Sequence, residues 1–413
     1  MKRLTVLDLF AGCGGLSVGL EQVGLDVRWA NEWWTPAALT YSSNHLQTVI
    51  FQDDANQLLK RMLDRDSSLP GRGDVDVVVG GPPCQGFCGI NRFRDVDDPR
   101  NSLVETFFRI VEVLQPRFVV MENVSGILSL EHGRAVHELL ASLREIGYHA
   151  DLFVLQAGTY GVAQTRWRVF VLASRDVELR LNYPAPLHAF PKNRPLDVGS
   201  FKSNIIKVSS LESDLFETLL PAVTVRDAIG DLPKIENGGS FQGPYDSEAS
   251  RSWQARIRSG SKQVTDHDTI RLGKANQERL EHLPFKTGSC WVDLPTEFQP
   301  KNLAKLGEKR YFSRFGRLDW DGYFTTITSK PEPYWGRFFH PEQQRVVSVR
   351  ECARAQGFPD SFLFHGPLRA RYAQVGNAVP PPLGRAIGWE IRRAAGDITV
   401  DEEVEAYRRQ MQA

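Results

Sequence analysis

The chain has 413 residues, of which 41% are hydrophobic and 24% charged, with 50 basic residues balanced by 50 acidic ones. That is the composition of a folded protein able to bury one large core and a smaller one, and it excludes a disordered chain. A net charge of zero gives no hint of nucleic acid, so any basic surface must be local and offset elsewhere.

From the N-terminus, residues 4–10 read as a buried strand, residues 12–15 as a tight turn, and residues 16–23 as a helix closed by Gly24. A second strand over residues 27–30 ends in Asn31-Glu32, a third over 48–51 in Asp53-Asp54, and a fourth over 75–79 in Gly80-Gly81. Leu103, Phe107, Ile110, Val111 and Leu114 recur at helical spacing, and a strand over 117–121 follows Pro116 and ends in Glu122-Asn123. Alternating strands and helices imply a parallel α/β sheet, whose ligands sit at the carboxyl ends of its strands. Two more strands are expected over 152–155 and 169–173. Residues 182–346 are rich in Pro, Gly, Ser, aromatic and basic residues and read as a smaller inserted domain. Regular structure resumes with a helix over 349–355, a loop through Gly376-Asn377 and a helix after Pro380 running toward Arg393. The segment past Thr399 is charged and reads as a solvated helix. The expected domains are thus 1–181, 182–346 and a returning segment 347–413.

The cysteines are Cys13, Cys84, Cys88, Cys290 and Cys352, an odd number without close pairing. They argue against a disulfide framework and offer no four-ligand zinc pattern, so no structural metal is expected. The first apolar stretch is too short for a signal peptide, and no run reaches membrane-spanning length, so no membrane partner is expected. The reading is a cytosolic protein, or a nuclear one in a eukaryote.

The glycine-rich turn after the first strand lets backbone approach a ligand, and Glu32 at the end of the second strand stands where ribose hydroxyls are bound. Ser17 replaces the third glycine of a dinucleotide fingerprint, which weakens a pyrophosphate reading. Alone, the turn suits a dehydrogenase, a methyltransferase or simple packing. More specific is Gly80-Gly81-Pro82-Pro83-Cys84-Gln85, which puts a thiol at a strand's end on a loop stiffened by two prolines. Glu122-Asn123-Val124 closes the neighbouring strand, so a carboxyl group could share that cleft.

With these motifs the chain resembles the cytosine-5 DNA methyltransferase family along nearly its whole length. Residues 8–15 look like the family's cofactor loop, Pro82-Pro83-Cys84-Gln85 like its nucleophile loop, and Glu122-Asn123-Val124 like its base-holding motif. Gln164-Thr165-Arg166-Trp167-Arg168 is similar to its paired-arginine motif, and residues 350–354 and 374–380 to its last two motifs. The resemblance implies a Rossmann-like, S-adenosylmethionine-dependent methyltransferase domain with an inserted target-recognition domain. It implies Cys84 as nucleophile, Glu122 as donor to ring nitrogen 3, Arg166 on the ring carbonyl oxygen, and Arg168 in the same catalytic set. Around the cofactor it implies Phe10, Gly12, Gly14 and Leu16, with Glu32 on the ribose, Trp33 and Asp54 on adenine, and Pro83, Asn377 and Val379 completing the pocket.

Double-stranded DNA is the implied partner, with the target cytosine flipped out of the helix. Gln85, Ile90 as an apolar wedge, Arg92 and Arg94 are the expected contacts from the nucleophile loop. Basic and aromatic residues interleave at Arg251, Trp253, Arg256, Arg258 and Lys262. They do so again from Lys301 through Lys305, Lys309, Arg310, Tyr311, Phe312 and Arg314 to Arg317, and both clusters are read as phosphate contacts. A monomer is expected. Residues 154–158 and 340–350 look like the catalytic domain of the eukaryotic maintenance enzyme, which implies CpG as the site. Against that branch stand three features: no regulatory domains precede the catalytic motifs, the recognition region lacks metal-binding cysteines, and Cys88 stands where serine is usual. A bacterial enzyme acting in the cytoplasm or nucleoid is the other form expected. The rival readings are a tRNA cytosine-5-methyltransferase, disfavoured because Cys290 is followed by Trp291, and a non-catalytic DNA-binding homologue, disfavoured because Cys84 and Glu122 are both present.

Overall fold

The structure is a computed structural model, and it describes residues 3–83, 102–191, 206–207, 219–286, 288–304 and 314–412. Two compact units are present: Met1–Tyr160, Trp167–Leu219 and Pro381–Tyr407 form the first, and Gly161–Arg166, Leu220–Pro380 and Arg408–Ala413 the second.

The first unit is built on a sheet of eight strands in the order β3-β2-β1-β4-β5-β7-β6-β9. These are β1 (Thr5–Leu9), β2 (Asp26–Asn31), β3 (Val49–Phe51), β4 (Val77–Gly80), β5 (Phe118–Val124), β6 (His149–Gln156), β7 (Trp167–Ser174) and β9 (Ile206–Lys207), with the two-residue β8 (His188–Ala189) outside the sheet. β1 to β5 pair in parallel, whereas β7 runs antiparallel to both β5 and β6. Strands covered on both faces can be apolar throughout, which is why β1 and β4 are uninterrupted buried runs. Five helices intervene: α1 (Gly15–Glu21), α2 (Thr35–Asn44), α3 (Ala55–Leu63), α4 (Ser102–Leu114) and α5 (Arg134–Glu145). Leu58 and Met62 of α3, Ile110 and Leu114 of α4 and Leu139 and Leu143 of α5 share one core with Leu7, Val78, Val119 and Val171 from the sheet. These apolar positions recur at three- and four-residue spacing, so each helix buries one stripe and leaves the rest to solvent.

The second unit carries the short elements β10 (Leu220–Pro221), α6 (Val225–Ile229), β11 (Ser240–Pro244), α7 (Ser252–Arg258), β12 (Gln263–Asp268), α8 (Lys274–His282), α9 (Lys301–Ala304), β13 (Gly316–Arg317) and β14 (Arg337–Phe339). α10 (Val349–Ala355) and α11 (Leu368–Asn377) belong to it as well. The compact units therefore change at residue 220 and again at Pro381, not at the positions 182 and 347 read from composition. The physical reason is that α10 is held inside the second unit. Its Arg354 reaches Asp231 and makes a bidentate pair with Asp360, and its Arg350 bonds Thr265. The expected loop at Gly376-Asn377 is instead the last turn of α11.

α12 (Pro381–Ala394) returns to the first unit and lies against α1. α13 (Val400–Gln412) follows it, and this tail is not a fully solvated helix. Its Val400 and Tyr407 are buried, and Glu403 pairs with Arg392 and accepts from the Trp389 indole. The α1–α12 crossing depends on glycine. A Cβ on Gly19 would lie 2.2 Å from the Pro381 carbonyl oxygen and 2.5 Å from the Arg385 nitrogen, so the backbones touch without side chains between them. Gly19→Ala must push α12 away and is expected to cost about 1–3 kcal/mol, read as a lower urea midpoint. An unchanged midpoint would show that the two helices do not approach this closely.

Candidate active site

The turn after β1 is left-handed at three points: Phe10 and Gly12 both have φ of 57° and Gly14 has 94°. For Phe10 that conformation is strained, and it persists because Ala11 N–H bonds the Asn31 carbonyl and Gly14 N–H the Ala11 carbonyl. A Cβ on Gly12 would meet nothing within 4 Å, so the backbone there faces open space, as a ligand-binding turn requires. Glu32 closes the same space. Its two oxygens accept from Gly12 N at 2.8 Å and Trp34 N at 2.7 Å, which leaves acceptor capacity on each for ligand hydroxyls. Burial raises its pKa, while the Trp34 and Gly12 N–H groups act to lower it.

Trp33 stands out at 69% exposure beside this carboxylate in the chain, a flat apolar surface available to a ring. Asp54 does not close β3, as the sequence suggested. It is the N-cap of α3, accepting from Asn56 N at 2.8 Å, and is exposed with a second oxygen to offer. Leu16 is buried in α1 and Pro83 half-buried at the end of the described loop. Asn377, exposed, and Val379, half-buried, lie in the second unit. An open glycine turn with a paired acceptor carboxylate fits the ribose end of a nucleoside cofactor such as S-adenosylmethionine.

A buried network that sequence reasoning missed supports this turn. Ser17 Oγ donates to Asp8 Oδ2 at 2.6 Å and lies 2.8 Å from the Tyr41 hydroxyl. Tyr41 stacks on His45, whose Nδ1 is 2.8 Å from Glu21 Oε2. A Cβ on Gly14 would strike the His45 ring at 2.3 Å, so glycine is needed for packing as well as for its backbone angle. The available signal was an acid inside an otherwise apolar strand, which must find a partner or lose its charge.

The second part of the site lies where β4, β5 and β7 meet. Glu122 and Asn123 are inside β5, not beyond its end. Arg168 Nε is 2.8 Å from Glu122 Oε1, and both side chains are nearly buried. Gly81 leaves room for this carboxylate, since a Cβ there would sit 3.2 Å from Glu122 Oε2. Asn123 Nδ2 donates to the Pro82 carbonyl at 3.2 Å, tying the base of the Pro82-Pro83 loop to β5. Cys84, Gln85, Ile90, Arg92 and Arg94 lie outside the described residues, as do Lys305, Lys309, Arg310, Tyr311 and Phe312.

Two arginines do not sit as expected. Arg166 is fully buried in the second unit, and its two terminal nitrogens donate to the carbonyls of Ile327, Gly376 and Ala378 at 2.8–2.9 Å. Arg317 is also fully buried. It donates to the carbonyls of His340, Gln343 and Leu280 and to Gln344 Oε1, and burial lowers its pKa to about 10. It cannot serve as the surface phosphate contact the sequence suggested. The first basic cluster is largely committed too: Arg251 pairs with Asp227 at 2.8 Å, Arg258 with Asp231 at 2.7 Å, and Trp253 is buried.

The family model for C-5 cytosine-specific DNA methylase matches residues 4–393. The chain belongs to this family. It is 39% identical to DNA (cytosine-5)-methyltransferase 1 of Mus musculus and 36% identical to DNA (cytosine-5)-methyltransferase 3 of Arabidopsis thaliana, in both cases over 95% of the chain. It spans only 28% and 31% of the length of those two proteins. Among solved structures, one described as a DNA modification methyltransferase encoded within a prophage of E. coli covers 95% of this chain and 99% of its own. It superposes with a TM-score of 0.65 at 24% identity, which shows the Rossmann-like methyltransferase fold. Methylation of carbon 5 of cytosine in DNA is the family's reaction, and S-adenosylmethionine is the cofactor expected from membership in it.

Asp8 makes the site's support sensitive to pH. Burial raises its pKa from 3.8 to about 7, with Ser17 lowering it and Glu32 and Glu21 adding to the rise. The folded protein therefore keeps a proton that the unfolded chain has released, and this contribution to stability is complete below the unfolded value and lost as pH rises through about 7. Relative to Asp8→Asn, the wild-type unfolding midpoint should fall as pH is raised across that interval. A difference between the two that stays constant with pH would show Asp8 ionised throughout.

Proposed function

We propose that this chain is a DNA (cytosine-5)-methyltransferase acting on a cytosine flipped out of duplex DNA. The observation that carries the proposal is the Glu122–Arg168 pair, placed beside the Pro82-Pro83 loop that leads directly into Cys84. Carbon 5 of cytosine is a weak nucleophile. Addition of the Cys84 thiolate to carbon 6 pushes an electron pair toward carbon 5 and builds negative charge on ring nitrogen 3 and the carbonyl oxygen. Glu122, taking up a proton when the base binds, is the group to pass that proton to nitrogen 3, and Arg168 at its side offers guanidinium N–H groups to the carbonyl oxygen. Arg168 takes the ring-oxygen role that the motif alone suggested for Arg166, because the Arg166 donors are bound to main-chain carbonyls.

S-adenosylmethionine supplies the electrophilic methyl group when bound. Glu32 is proposed to accept from its ribose hydroxyls, Trp33 to pack on adenine, and Asp54 to accept from the adenine amino group. Phe10, Gly12, Gly14, Leu16 and Pro83 are proposed to line the same space, and Asn377 and Val379 remain candidates that the family motif alone suggests. After transfer, loss of the carbon-5 proton, expulsion of the Cys84 thiolate and return of the nitrogen-3 proton to Glu122 release 5-methylcytosine. Gln85, Ile90, Arg92 and Arg94 are proposed to hold the opened duplex. The second unit is proposed to recognise the target, with CpG as the sequence implied by the resemblance of residues 154–158 and 340–350 to the maintenance enzyme's catalytic domain.

With cofactor and a duplex containing 5-fluorocytosine, the wild-type protein should form a complex stable to denaturation, because fluorine cannot leave as a proton does. Cys84→Ser should trap nothing and Cys88→Ser should trap normally; the reverse pattern would move the nucleophile to Cys88. Glu32→Gln keeps the shape but weakens acceptance from hydroxyls. It should lower S-adenosylmethionine affinity by roughly ten-fold in calorimetric titration, as expected for charge-assisted hydrogen bonds worth about 1.5–3 kcal/mol. Unchanged affinity in the folded variant would remove Glu32 from the site.

A further inference from the structure

Among its described residues the second unit displays two large aromatic rings to solvent, Phe285 at 62% exposure and Trp335 at 54%. Both rise from one small framework. β13 and β14 pair in parallel, Gly316 beside Arg337 and Arg317 beside Phe339. The Ser289 carbonyl accepts from Arg317 N at 2.9 Å, which ties the Phe285 segment to the same pair. Each ring lies against a guanidinium: Arg314 is 5.0 Å from the Trp335 ring centre and Arg317 4.1 Å from that of Phe285.

Trp335 is held outward by its neighbours. It ends a short 3-10 turn, Pro333–Trp335, whose Tyr334 points inward, with its hydroxyl 3.1 Å from Arg279 and 3.0 Å from Asn276 and its ring beside buried Phe315. Gly336 then passes so close to Thr325 and Phe338 that a Cβ would lie 2.6 and 2.8 Å from them, which fixes the chain on the other side. An indole on a rigid turn, already paired with a guanidinium, meets a flat ring without losing further conformational freedom. The charge is one-sided as well. Segments 284–286, 314–316 and 330–337 carry Lys286, Arg314, Lys330 and Arg337 against one carboxylate, Glu332, in a chain whose net charge is zero. A π-face beside concentrated positive charge matches a base next to phosphates, the pattern by which proteins hold unstacked nucleic acid.

Resting on the methyltransferase reading above, we propose that Trp335, braced by Arg314, is the recognition unit's base-contacting side chain and stacks on a base left unpaired or unstacked when the target cytosine leaves the helix. This puts the aromatic contact on the Pro333–Trp335 turn, outside the 251–262 and 301–317 clusters to which the sequence pointed; of these clusters Arg314 supplies the brace, while Arg251 and Arg258 are in ion pairs and Arg317 is enclosed by carbonyls.

The test uses the full chain, cofactor and a duplex bearing a site the enzyme methylates, with 5-fluorocytosine at the target and 2-aminopurine placed in turn at positions flanking and opposite it. Wild-type protein should quench 2-aminopurine at one position. Trp335→Ala should lose that quenching and bind the duplex roughly five- to 150-fold more weakly. Trp335→Phe should retain most of both. S-adenosylmethionine affinity and the urea midpoint should be the same in all three proteins, which separates stacking from a folding role. Equal DNA affinity and equal quenching in Trp335→Ala would overturn the proposal. Absence of any covalent complex with the wild-type protein would instead overturn the methyltransferase reading on which it rests.

Discussion

The contact between Glu122 and Arg168 is the constraint around which the catalytic edge of the sheet is arranged. It requires β7 to run antiparallel to β5 in an otherwise parallel neighbourhood, because only then does the start of β7 lie beside the end of β5. Glu122 is opposite Phe170, so Arg168, two residues away on the same face, is its diagonal neighbour. Two nearly buried charges in this position hold one another, since neither could be left alone without a penalty of several kcal/mol. In the proposed reaction a flipped pyrimidine ring presents a nitrogen that gains a proton and an oxygen that gains charge, and the pair is proposed to answer both. The antiparallel strand is therefore the structural feature that adapts an otherwise parallel sheet to the proposed chemistry.

Glycines bring the other parts to the same edge. A Cβ on Gly80 would lie 2.5 Å from the Leu9 carbonyl, and Gly81 has little room beside Glu122, so β4 can deliver the Pro82-Pro83 loop close to both β1 and β5. On the opposite side Gly19 permits α12 to cross α1 at backbone contact. Beneath the cofactor turn, Asp8, Ser17, Tyr41 and His45 fill the space with hydrogen bonds in place of apolar packing. Such a network holds the strained Phe10 backbone in one geometry and makes that geometry dependent on the charge state of Asp8.

Much of the first unit was legible in the sequence because its signals are local. Apolar runs such as Val77-Val78-Val79 fit only a buried strand, the helical spacing through Leu103 and Leu114 gave α4, and Gly24 closed the first helix region as expected. Glu32 and Gly12 could be paired in advance because each lies at the carboxyl end of a neighbouring strand. Side-chain commitments were not legible. The sequence offers Arg166, Arg168 and Arg317 as equally available cations, and only the fold shows that two of them are enclosed by carbonyls while Arg168 meets a carboxylate. The unit boundary at residue 220 was hidden for the same reason: the Arg354, Asp231 and Asp360 cluster joins segments more than a hundred residues apart. Trp335 drew no notice because an aromatic in the proline-rich run 331–335, beside Tyr334, carries no periodic signal.

The most direct measurement is transfer of label from methyl-tritiated S-adenosylmethionine to unmodified duplex DNA, followed by digestion to nucleosides and chromatography. The account expects all DNA-bound label to migrate as 5-methyl-2′-deoxycytidine, and Glu122→Gln to reduce it by at least a hundred-fold, the usual range for a positioned proton donor being about 10²–10⁴. Label on an exocyclic nitrogen, or on RNA with none on DNA, would contradict it.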